Sequence, residues 1–567
     1  MKKKKFHFIF IIVSLLLIAG CITLNQNTTT YAKERIITEL NNTPIEELQN
    51  NEPTEEITEG EAVVEEETNS YELTELAIII ITTIVIIACV LNIVVTKFGT
   101  RSLIESLSTP KSLIYYSFFL IVLSSIIPTY SIIKTDANIL NGSEAKARNE
   151  KSIAIVEIEE DKENKDLKEE SNTNDTSVIQ VSNGATYTAT NLELNKTSGT
   201  TTDIESSMYY GLNSAFIAKD NSNVILNNSS ITTKSDYSTA FFATGMSTTA
   251  TLTNISLLTE NQYSNGLAIS ESSTINASKV NITTKGQNSS AIKTITNNSE
   301  VIIDDSIILT EGNKSPIFEI KGKVEATNII ATSTNSNIAV VENSASLSII
   351  ESELITSSYY IDENSSSAFF LYKSNSKTAS NDSGNSDLTI KDSKITVNKD
   401  SQVYESAPLF YITNTTSVIN ITNTDIDYRS NTLIKVSQNE KYGDIEDNGG
   451  EVNFTATDQT LKGNIIVDEI SSIRFNLNNS SYKGQINGND ESKNVHVTLD
   501  KKAEWTLTGD SYLNTLTIQN GRIDRLARYI KSNGYNIYYN AENNEWLNGK
   551  TIRLSGGGKL IPVTYES

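Results

Sequence analysis

From residue 177 onward, short stretches of alternating apolar and polar residues recur along the chain. Each unit has the form apolar-x-apolar-x-(Asn or Asp)-x-x-apolar. The units start at Val224, Ala250, Ile275, Val301, Val324, Leu347, Leu388, Ile419 and Val452, which are separated by 26, 25, 26, 23, 23, 41, 31 and 33 residues. Period-2 alternation turns one face of each strand inward, and stacking the units buries a continuous apolar column. The spacing therefore predicts a parallel β-solenoid.

A second short apolar strand precedes each of these units. These strands start at Phe216, Phe241, Leu267, Ala291, Ile317, Ile338, Phe369, Leu409 and Leu433. Two strands and a third segment in one repeat make one rung of a solenoid. A β-propeller repeats at about 40–45 residues and fits worse, and a β-sandwich would not keep this spacing. We predict an all-β parallel β-helix over residues 177–516 and a C-terminal cap over 517–567.

The polar position of the repeat holds asparagine or aspartate in most units. This column comprises Asn228, Asn254, Asp305, Asn328, Asp392 and Asn423. Both residue types tolerate left-handed backbone and satisfy turn amides, so the column predicts a hydrogen-bonded ladder at a turn. Lys279 and Glu351 interrupt it, which a structural ladder permits and a metal array would not.

The first 32 residues have the pattern of a secretory signal or N-terminal anchor. Lys2–Lys5 are basic, and Phe6–Gly20 form an apolar run that is short for a full membrane span. Ile-Ala-Gly-Cys ending at Cys21 resembles a bacterial lipobox, which would make Cys21 a lipidated residue. Thr-Tyr-Ala ending at Ala32 resembles an ordinary cleavage site, and a third alternative leaves the segment uncleaved as an anchor.

Two longer uncharged apolar runs follow at residues 76–95 and 113–133. Each is long enough, at about 1.5 Å of rise per residue, to cross the hydrocarbon core as a helix. The loop between them, 96–112, has a net charge of +2, whereas the preceding segment 33–75 has −12 and a disorder-like composition. Because positive charge stays inside, we expect a transmembrane helical hairpin in the cell membrane with residues 134–567 on the extracellular face.

The composition limits the partners and the kinds of catalytic or metal site that the chain can have. The chain carries a net charge of −23, and the charged linker 134–176 contributes −5. Acidic charge disfavours nucleic acid as a partner. Two cysteines and two histidines exclude a disulfide framework and leave little material for histidine chemistry. No phosphate loop, CxxC or HExxH motif is present, so we predict neither a metal nor a cofactor.

Three insertions lengthen the repeat and are candidates for ligand-binding loops. They fall near Thr356–Ser367, Lys373–Asp387 and Ser437–Gly450. Tyrosines beside carboxylates can stack on a sugar ring and hydrogen-bond its hydroxyls. The candidate ligand residues are Tyr359, Tyr360 and Tyr442.

An extracellular polysaccharide lyase or hydrolase is the main alternative, because many β-helix proteins have these activities. Such an enzyme needs carboxylates and a base on one face. Asp425 and Asp427 share strand parity, and Arg429 continues it. These three residues are the enzyme-alternative candidates, and they also fit a solvated strand face.

The repeat region resembles the adhesin-like right-handed β-helix proteins of prokaryotic surfaces, a family mostly of uncharacterised function. The segments that carry the resemblance are Ser182-Asn-Gly-Ala-Thr-Tyr-Thr, Asp203-Ile-Glu-Ser-Ser, Tyr210-Gly-Leu-Asn, Ala407-Pro-Leu-Phe-Tyr-Ile-Thr-Asn-Thr, Gln459-Thr-Leu-Lys-Gly-Asn and Val497-Thr-Leu-Asp continuing to Trp505-Thr-Leu-Thr-Gly-Asp-Ser-Tyr. The resemblance covers about residues 177–520. It implies a right-handed coil at the cell surface and transfers no catalytic residue.

Together these features predict a membrane-anchored, outward-facing surface display or adhesion module. Its expected partners are the membrane and a glycan or a neighbouring cell surface, bound through solenoid loops. An extracellular polysaccharide-active enzyme and a structural envelope protein without a ligand remain the alternatives.

Overall fold

The computed structural model describes residues 152–342, 344–358, 365–374, 385–492, 494–519 and 522–564. This part of the chain is nearly all β, and its strands, numbered β1–β42 in chain order, form long parallel sheets. The arrangement is the one that a parallel β-helix requires, as the repeat predicts. The predicted membrane helices 76–95 and 113–133 lie outside the described residues. Within the described ranges, no helix is both long and apolar enough to span a bilayer.

Sheet A has one strand from almost every rung, in the order β1, β4, β7, β9, β11, β14, β17, β20, β23, β26, β29 and β32. Their bounds are Ile153–Ile158, Thr176–Val181, Phe216–Ala218, Phe241–Ala243, Leu267–Ile269, Ile292–Thr294, Phe318–Ile320, Ala339–Glu342, Phe369–Tyr372, Phe410–Thr413, Thr432–Val436 and Asn464–Val467. Each strand pairs in parallel with the strand of the next rung.

Sheet B forms two more stacks. The first stack comprises β2 (Lys162–Lys165), β5 (Thr186–Thr190), β8 (Asn223–Thr233), β10 (Thr249–Thr259), β12 (Thr274–Ser278), β15 (Glu300–Asp304), β18 (Lys323–Thr327), β21 (Ser346–Ile350), β24 (Ser386–Lys391), β27 (Thr416–Thr422), β30 (Glu451–Thr457), β33 (Ser472–Asn478), β35 (Val495–Leu499) and β38 (Thr515–Ile518). The second stack comprises β3 (Lys168–Ser171), β6 (Glu193–Lys196), the C-terminal halves of β8 and β10, β13 (Asn281–Thr284), β16 (Ile307–Thr310), β19 (Ile330–Ser333), β22 (Glu353–Thr356), β25 (Lys394–Val397) and β28 (Asp425–Asp427).

Two four-stranded sheets complete the C-terminal part. Sheet C comprises β31 (Thr460–Lys462), β34 (Ser481–Lys483), β36 (Glu504–Thr506) and β39 (Ile530–Lys531). Sheet D comprises β37 (Ser511–Leu513), β40 (Ile537–Asn540), β42 (Lys559–Val563) and β41 (Ile552–Arg553). β41 and β42 form an antiparallel pair, so the chain reverses direction between these last two described strands. Short helices are α1 (Ile204–Tyr210) and α2 (Leu526–Tyr529), and 3₁₀ turns lie at Val403–Glu405, Ile523–Arg525 and Glu545–Leu547.

The core is the apolar column that the alternation predicts. In β10, Ala250, Leu252 and Leu257 are buried, whereas Thr251 is exposed. The same alternation recurs from rung to rung, because paired residues have equal parity in the parallel register. Stacked aromatic rings continue this order in sheet A, where the Phe216 and Phe241 ring centroids lie 4.9 Å apart.

The turn between the two stacks of sheet B has left-handed backbone, which confirms the predicted ladder. The residues with positive φ at this turn are Asp166, Asn191, Asn228, Asn254, Lys279, Asp305, Asn328, Glu351, Asp392 and Asn423, and Asp458 and Asn479 hold the same position before the sheet C strands β31 and β34. The side-chain amides of Asn191, Asn254, Asn328, Asn423 and Asn479 each donate to the side chain of the residue one rung earlier. Asn254 Nδ2 to Asn228 Oδ1 is 2.7 Å, and Asn423 Nδ2 to Asp392 Oδ1 is 2.6 Å.

The rungs extend into the segment that the sequence analysis assigns to the linker 134–176. β1 pairs with β4, β2 with β5 and β3 with β6, all in parallel. β2 and β3 contain no apolar residue at either their outward or their inward positions, so no alternating pattern marks them in the sequence. Parallel backbone pairing to the next rung stabilises these strands, with little apolar burial.

Candidate functional site on the outer face of sheet A

Two columns of outward-facing side chains run along sheet A. The first column, read through the parallel register, comprises Glu157, Gln180, Ile217, Phe242, Ala268, Lys293, Glu319, Val340, Phe370, Tyr411, Lys435 and Ile466. The second column lies two residues further along each rung and includes Lys321, Glu342 and Tyr372. Several residues of the first column are apolar, and two segments of the chain pack over them and shield them from solvent.

The first cover, which we call flap 1, is α1 with its flanking turns, residues 199–213. Asp203 caps the helix by accepting from Ser206 N at 2.9 Å, and Gly211 ends it at φ +80°. Gly211 rests on the ring of Phe242, since a Cβ at this position would lie 2.5 Å from Phe242 Cγ. Phe242 and Ala268 are fully buried although they face outward. The Tyr209 carbonyl accepts a bond from Ser270 Oγ at 2.9 Å.

The second cover, flap 2, is the insertion 437–450. Its Tyr442 ring lies 4.6 Å from the ring of Tyr372 and 5.6 Å from that of Phe370. Asn448 Nδ2 donates to the carbonyls of Asn439 and Tyr442 and holds the loop in shape. The insertion that was predicted to bind ligand through Tyr442 thus folds onto sheet A and forms an aromatic wall.

Between the two flaps lies a cluster of four charged side chains, which we call the charged strip: Lys293, Glu319, Lys321 and Glu342. Lys293 Nζ lies 2.7 Å from Glu319 Oε1, and Lys321 Nζ lies 3.0 Å from Glu342 Oε2. The side chains of Glu319 and Lys321 are 36% and 44% exposed, whereas that of Glu342 is 12% exposed. The strip is therefore open to solvent at its centre and closed toward flap 2.

Neighbouring hydroxyls fix both carboxylates. Ser290 Oγ donates to Glu319 Oε2 at 2.6 Å. Ser374 Oγ donates to Glu342 Oε1 at 2.5 Å, and Tyr372 OH donates to Glu342 Oε2 at 3.4 Å. Each carboxylate therefore has a lysine and at least one hydroxyl as partners, which orients it without a ligand.

The electrostatics of the strip keep Glu319, Lys321 and the neighbouring Tyr372 in their ordinary charge states. Burial acts to raise the pKa of Glu319, but the charge and hydrogen bond of Lys293, the hydrogen bond from Ser290 and the charge of Lys321 together outweigh it, and the pKa is lowered. Burial acts to lower the pKa of Lys321, but Glu342 and other neighbours raise it. Burial and then Glu342 hold the pKa of the Tyr372 phenol well above its usual range. None of these three groups moves toward the pKa near neutrality that proton-transfer catalysis favours.

The strip offers a ligand fixed ammonium donors and carboxylate acceptors between aromatic rings. Tyr209 is 38% exposed at the flap 1 side, and Tyr372 and Tyr442 are half-buried at the flap 2 side. This combination matches the hydroxyls and the apolar ring faces of a saccharide. Within the described ranges, no group of three His, Cys, Asp or Glu side chains could hold a metal ion.

The other predicted site residues lie apart from the strip or outside the described residues. Asp425 and Asp427 face outward on β28, where Lys399 Nζ pairs with Asp427 at 2.9 Å. Arg429 pairs instead with Glu405 at 2.8 Å, so the salt bridges of Asp427 and Arg429 lead to different partners. Cys21, Tyr359 and Tyr360 lie outside the described residues.

Comparisons with known proteins assign the chain to no family. No protein-family model matches the chain, and no curated protein matches it in sequence.

Sequence reasoning missed the four residues of the strip, although a signal was present. Lys293 and Glu319 each occupy the centre of a three-residue strand whose other two residues are buried. A charge at that position marks the outward column of sheet A. Alignment of these short strands by rung would have placed Lys293 beside Glu319, as the register does.

Proposed function

We propose that this protein is a membrane-anchored, outward-facing surface display module whose right-handed β-helix binds a glycan on the outer face of sheet A. The charged strip between flap 1 and flap 2 is the observation that carries the proposal. In this proposal the hairpin 76–133 serves as the membrane anchor and the acidic segment 33–75 as a spacer.

The ion pairs of the strip favour a saccharide over a highly charged polymer. Lys293 and Lys321 are matched by Glu319 and Glu342, so the strip has no net charge to attract a polyion. Oriented charged groups still form stronger hydrogen bonds to hydroxyls than neutral groups do. Aromatic rings at both ends supply the apolar contact that a sugar ring needs.

A glycan-array screen of the full chain in detergent micelles tests the proposal. We expect selective binding to a subset of glycans, each recovered intact after incubation. Absence of any hit would contradict the proposal and leave the structural envelope role.

A polysaccharide lyase or hydrolase is the second candidate, because the strip brings carboxylates and amines to one face. Mass spectrometry of each hit after incubation decides between the two functions. Shortened or unsaturated products would establish the enzyme, and the intact glycan supports the binding module.

A further inference from the structure

The outer face of the first stack of sheet B carries no charged residue over four consecutive rungs. In β5, β8, β10 and β12, the twelve outward positions are Thr186, Thr188, Thr190, Asn223, Ile225, Asn227, Thr249, Thr251, Thr253, Thr274, Asn276 and Ser278. All but Ile225 are small polar residues, and none is charged or aromatic. We call these twelve positions the threonine face.

The parallel register arranges these side chains in three straight rows. The central row is Thr188, Ile225, Thr251 and Asn276. Neighbouring rungs of a sheet lie about 4.8 Å apart, and outward residues in one strand lie about 6.6 Å apart. The threonine face is therefore a regularly spaced lattice of hydroxyl and amide groups.

Most of these groups have no partner inside the described part of the chain. Thr249 Oγ1 donates to Asn223 Oδ1 at 2.9 Å, and Ser278 Oγ donates to Asp304 Oδ1 at 2.6 Å. No side-chain hydrogen bond within the described ranges satisfies Thr188, Thr251 or Asn276. The asparagine ladder at the adjacent turn is paired from rung to rung, so the lattice is the unpaired part of this surface.

Charged residues lie on the two strands that flank the threonine face. The preceding strand β2 places Glu163 beside Thr188 and Lys165 beside Thr190. The following strand β15 places Glu300 beside Thr274 and Asp304 beside Ser278. The neutral patch is thus bounded within a chain of net charge −23.

We propose that the threonine face binds the flat surface of an ordered, uncharged polysaccharide. A polyion would find no counter-charge on the lattice, and a protein partner would find one apolar side chain where an interface core has many. A neutral polysaccharide presents hydroxyls that both donate and accept, as threonine and asparagine side chains do. The complementarity is one of neutral, two-way hydrogen bonding.

The lattice requires an ordered ligand because each contact is weak. A single hydrogen bond exchanged with water contributes little net free energy, and a flexible chain loses that gain in ordering. A rigid surface that repeats in two dimensions makes many contacts for one ordering cost. This site is separate from the charged strip and does not depend on it.

Co-sedimentation of the full chain in detergent micelles with microcrystalline cellulose and with chitin particles tests the proposal. We expect binding to at least one of them that is unchanged between low and high salt, because no charge takes part. Thr251→Lys and Asn276→Lys place an ammonium in the lattice and should each weaken binding at least tenfold. Failure of both particles to retain the protein would overturn the proposal.

Thr389→Lys is the matched control. Thr389 faces outward on β24 in the same row, between the charged residues Asp387 and Lys391, and its replacement should leave binding unchanged. Circular dichroism and thermal unfolding must show all three variants folded. Thr251→Val keeps the β-branched shape without the hydroxyl and should weaken binding severalfold. This variant replaces a lysine variant that fails to fold.

Two further results separate this proposal from others. Glu319→Gln in the charged strip should leave co-sedimentation unchanged. A loss of binding at the threonine face can therefore be distinguished from a loss of binding at the charged strip. Equal binding by the wild type and Thr251→Lys would overturn the proposal. Sedimentation velocity that shows self-association lost in Thr251→Lys would also overturn it, because a second copy would then occupy the face.

Discussion

At the residue scale, the turn ladder combines two separate demands on one side chain. Asn254 has φ +56° and donates to Asn228 at 2.7 Å. Asparagine meets both demands, since it tolerates left-handed backbone and carries an amide. The ladder could be predicted because the residue type recurs at the repeat spacing. Lys279 and Glu351 keep the backbone conformation without the asparagine, which shows that the turn dominates over the ladder bond.

Asn254→Ala should lower the free energy of unfolding by about 1–2 kcal/mol, because it loses an exposed hydrogen bond and places alanine in left-handed backbone. Asn254→Gly loses the bond but keeps the conformation, so its cost should be smaller. Urea unfolding of both variants measures the difference. Equal losses would contradict a conformational role for this position.

Buried hydroxyl residues form a column at the end of the strands in the second stack of sheet B: Ser171, Thr233, Thr259, Thr284, Thr310, Ser333 and Thr356. Lys196 is a buried exception in this hydroxyl column. It aligns with Ser171 on one side and Thr233 on the other, and its Nζ donates to the Thr176 carbonyl at 2.8 Å. Burial lowers the pKa of Lys196 to about 8 from a usual value of 10.5, while Asp175 acts in the opposite direction. Between these values the unfolded chain binds more protons than the folded protein.

Stability should therefore rise with pH between about 8 and 10.5 through this residue. Lys196→Thr restores the hydroxyl of the column and should remove that contribution. The measurement is the difference in unfolding free energy between wild type and variant across the window, which cancels other titrations. A difference that stays constant with pH would show that Lys196 does not titrate there.

At the element scale, the regular strands could be predicted from the sequence, whereas the packing of flap 1 and flap 2 on sheet A could not. The alternation of β8 and β10 gives their inward faces directly from the sequence. Flap 1 escaped prediction because its contact with Phe242 depends on the outward column of a distant strand. Flap 2 was found as an insertion, but its packing on Phe370 and Tyr372 depends on side chains two rungs away. β2 escaped because its stability comes from pairing rather than from an apolar pattern.

Gly211→Ala should detach flap 1 from sheet A, because a Cβ would collide with Phe242 in addition to the strain at φ +80°. We expect faster hydrogen exchange across Ile204–Tyr210 and a lower melting temperature. Gly184→Ala is the matched control, since Gly184 has φ +74° and open space around it. The same exchange pattern in both variants would exclude the collision as the cause.

At the scale of the whole molecule, the two exposed faces of the solenoid differ in chemistry. Sheet A presents paired charges between aromatic flaps, and the threonine face of sheet B presents neutral hydroxyls and amides. Such a division suits a surface module that contacts extended material along its length. Sequence patterns predicted the solenoid but not the strip, because only stacking of the rungs brings Lys293, Glu319, Lys321 and Glu342 together.

The proposed topology predicts where proteases reach the chain in intact cells. Trypsin should cleave within residues 134–567, whereas an epitope tag in the loop 96–112 should stay protected until the membrane is permeabilised. Immunoblots of both regions measure this. Cleavage of the tagged loop in intact cells would contradict the outward orientation.

The most direct test of the central claim compares two matched carboxylates on a glycan array. Glu319 lies in the charged strip, 36% exposed and 2.7 Å from Lys293, whereas Glu353 on sheet B is 39% exposed and 2.7 Å from Lys394. The account predicts that Glu319→Gln loses at least tenfold in binding to the glycans that wild type selects and that Glu353→Gln binds like wild type. Equal binding by both variants would contradict glycan recognition at the strip.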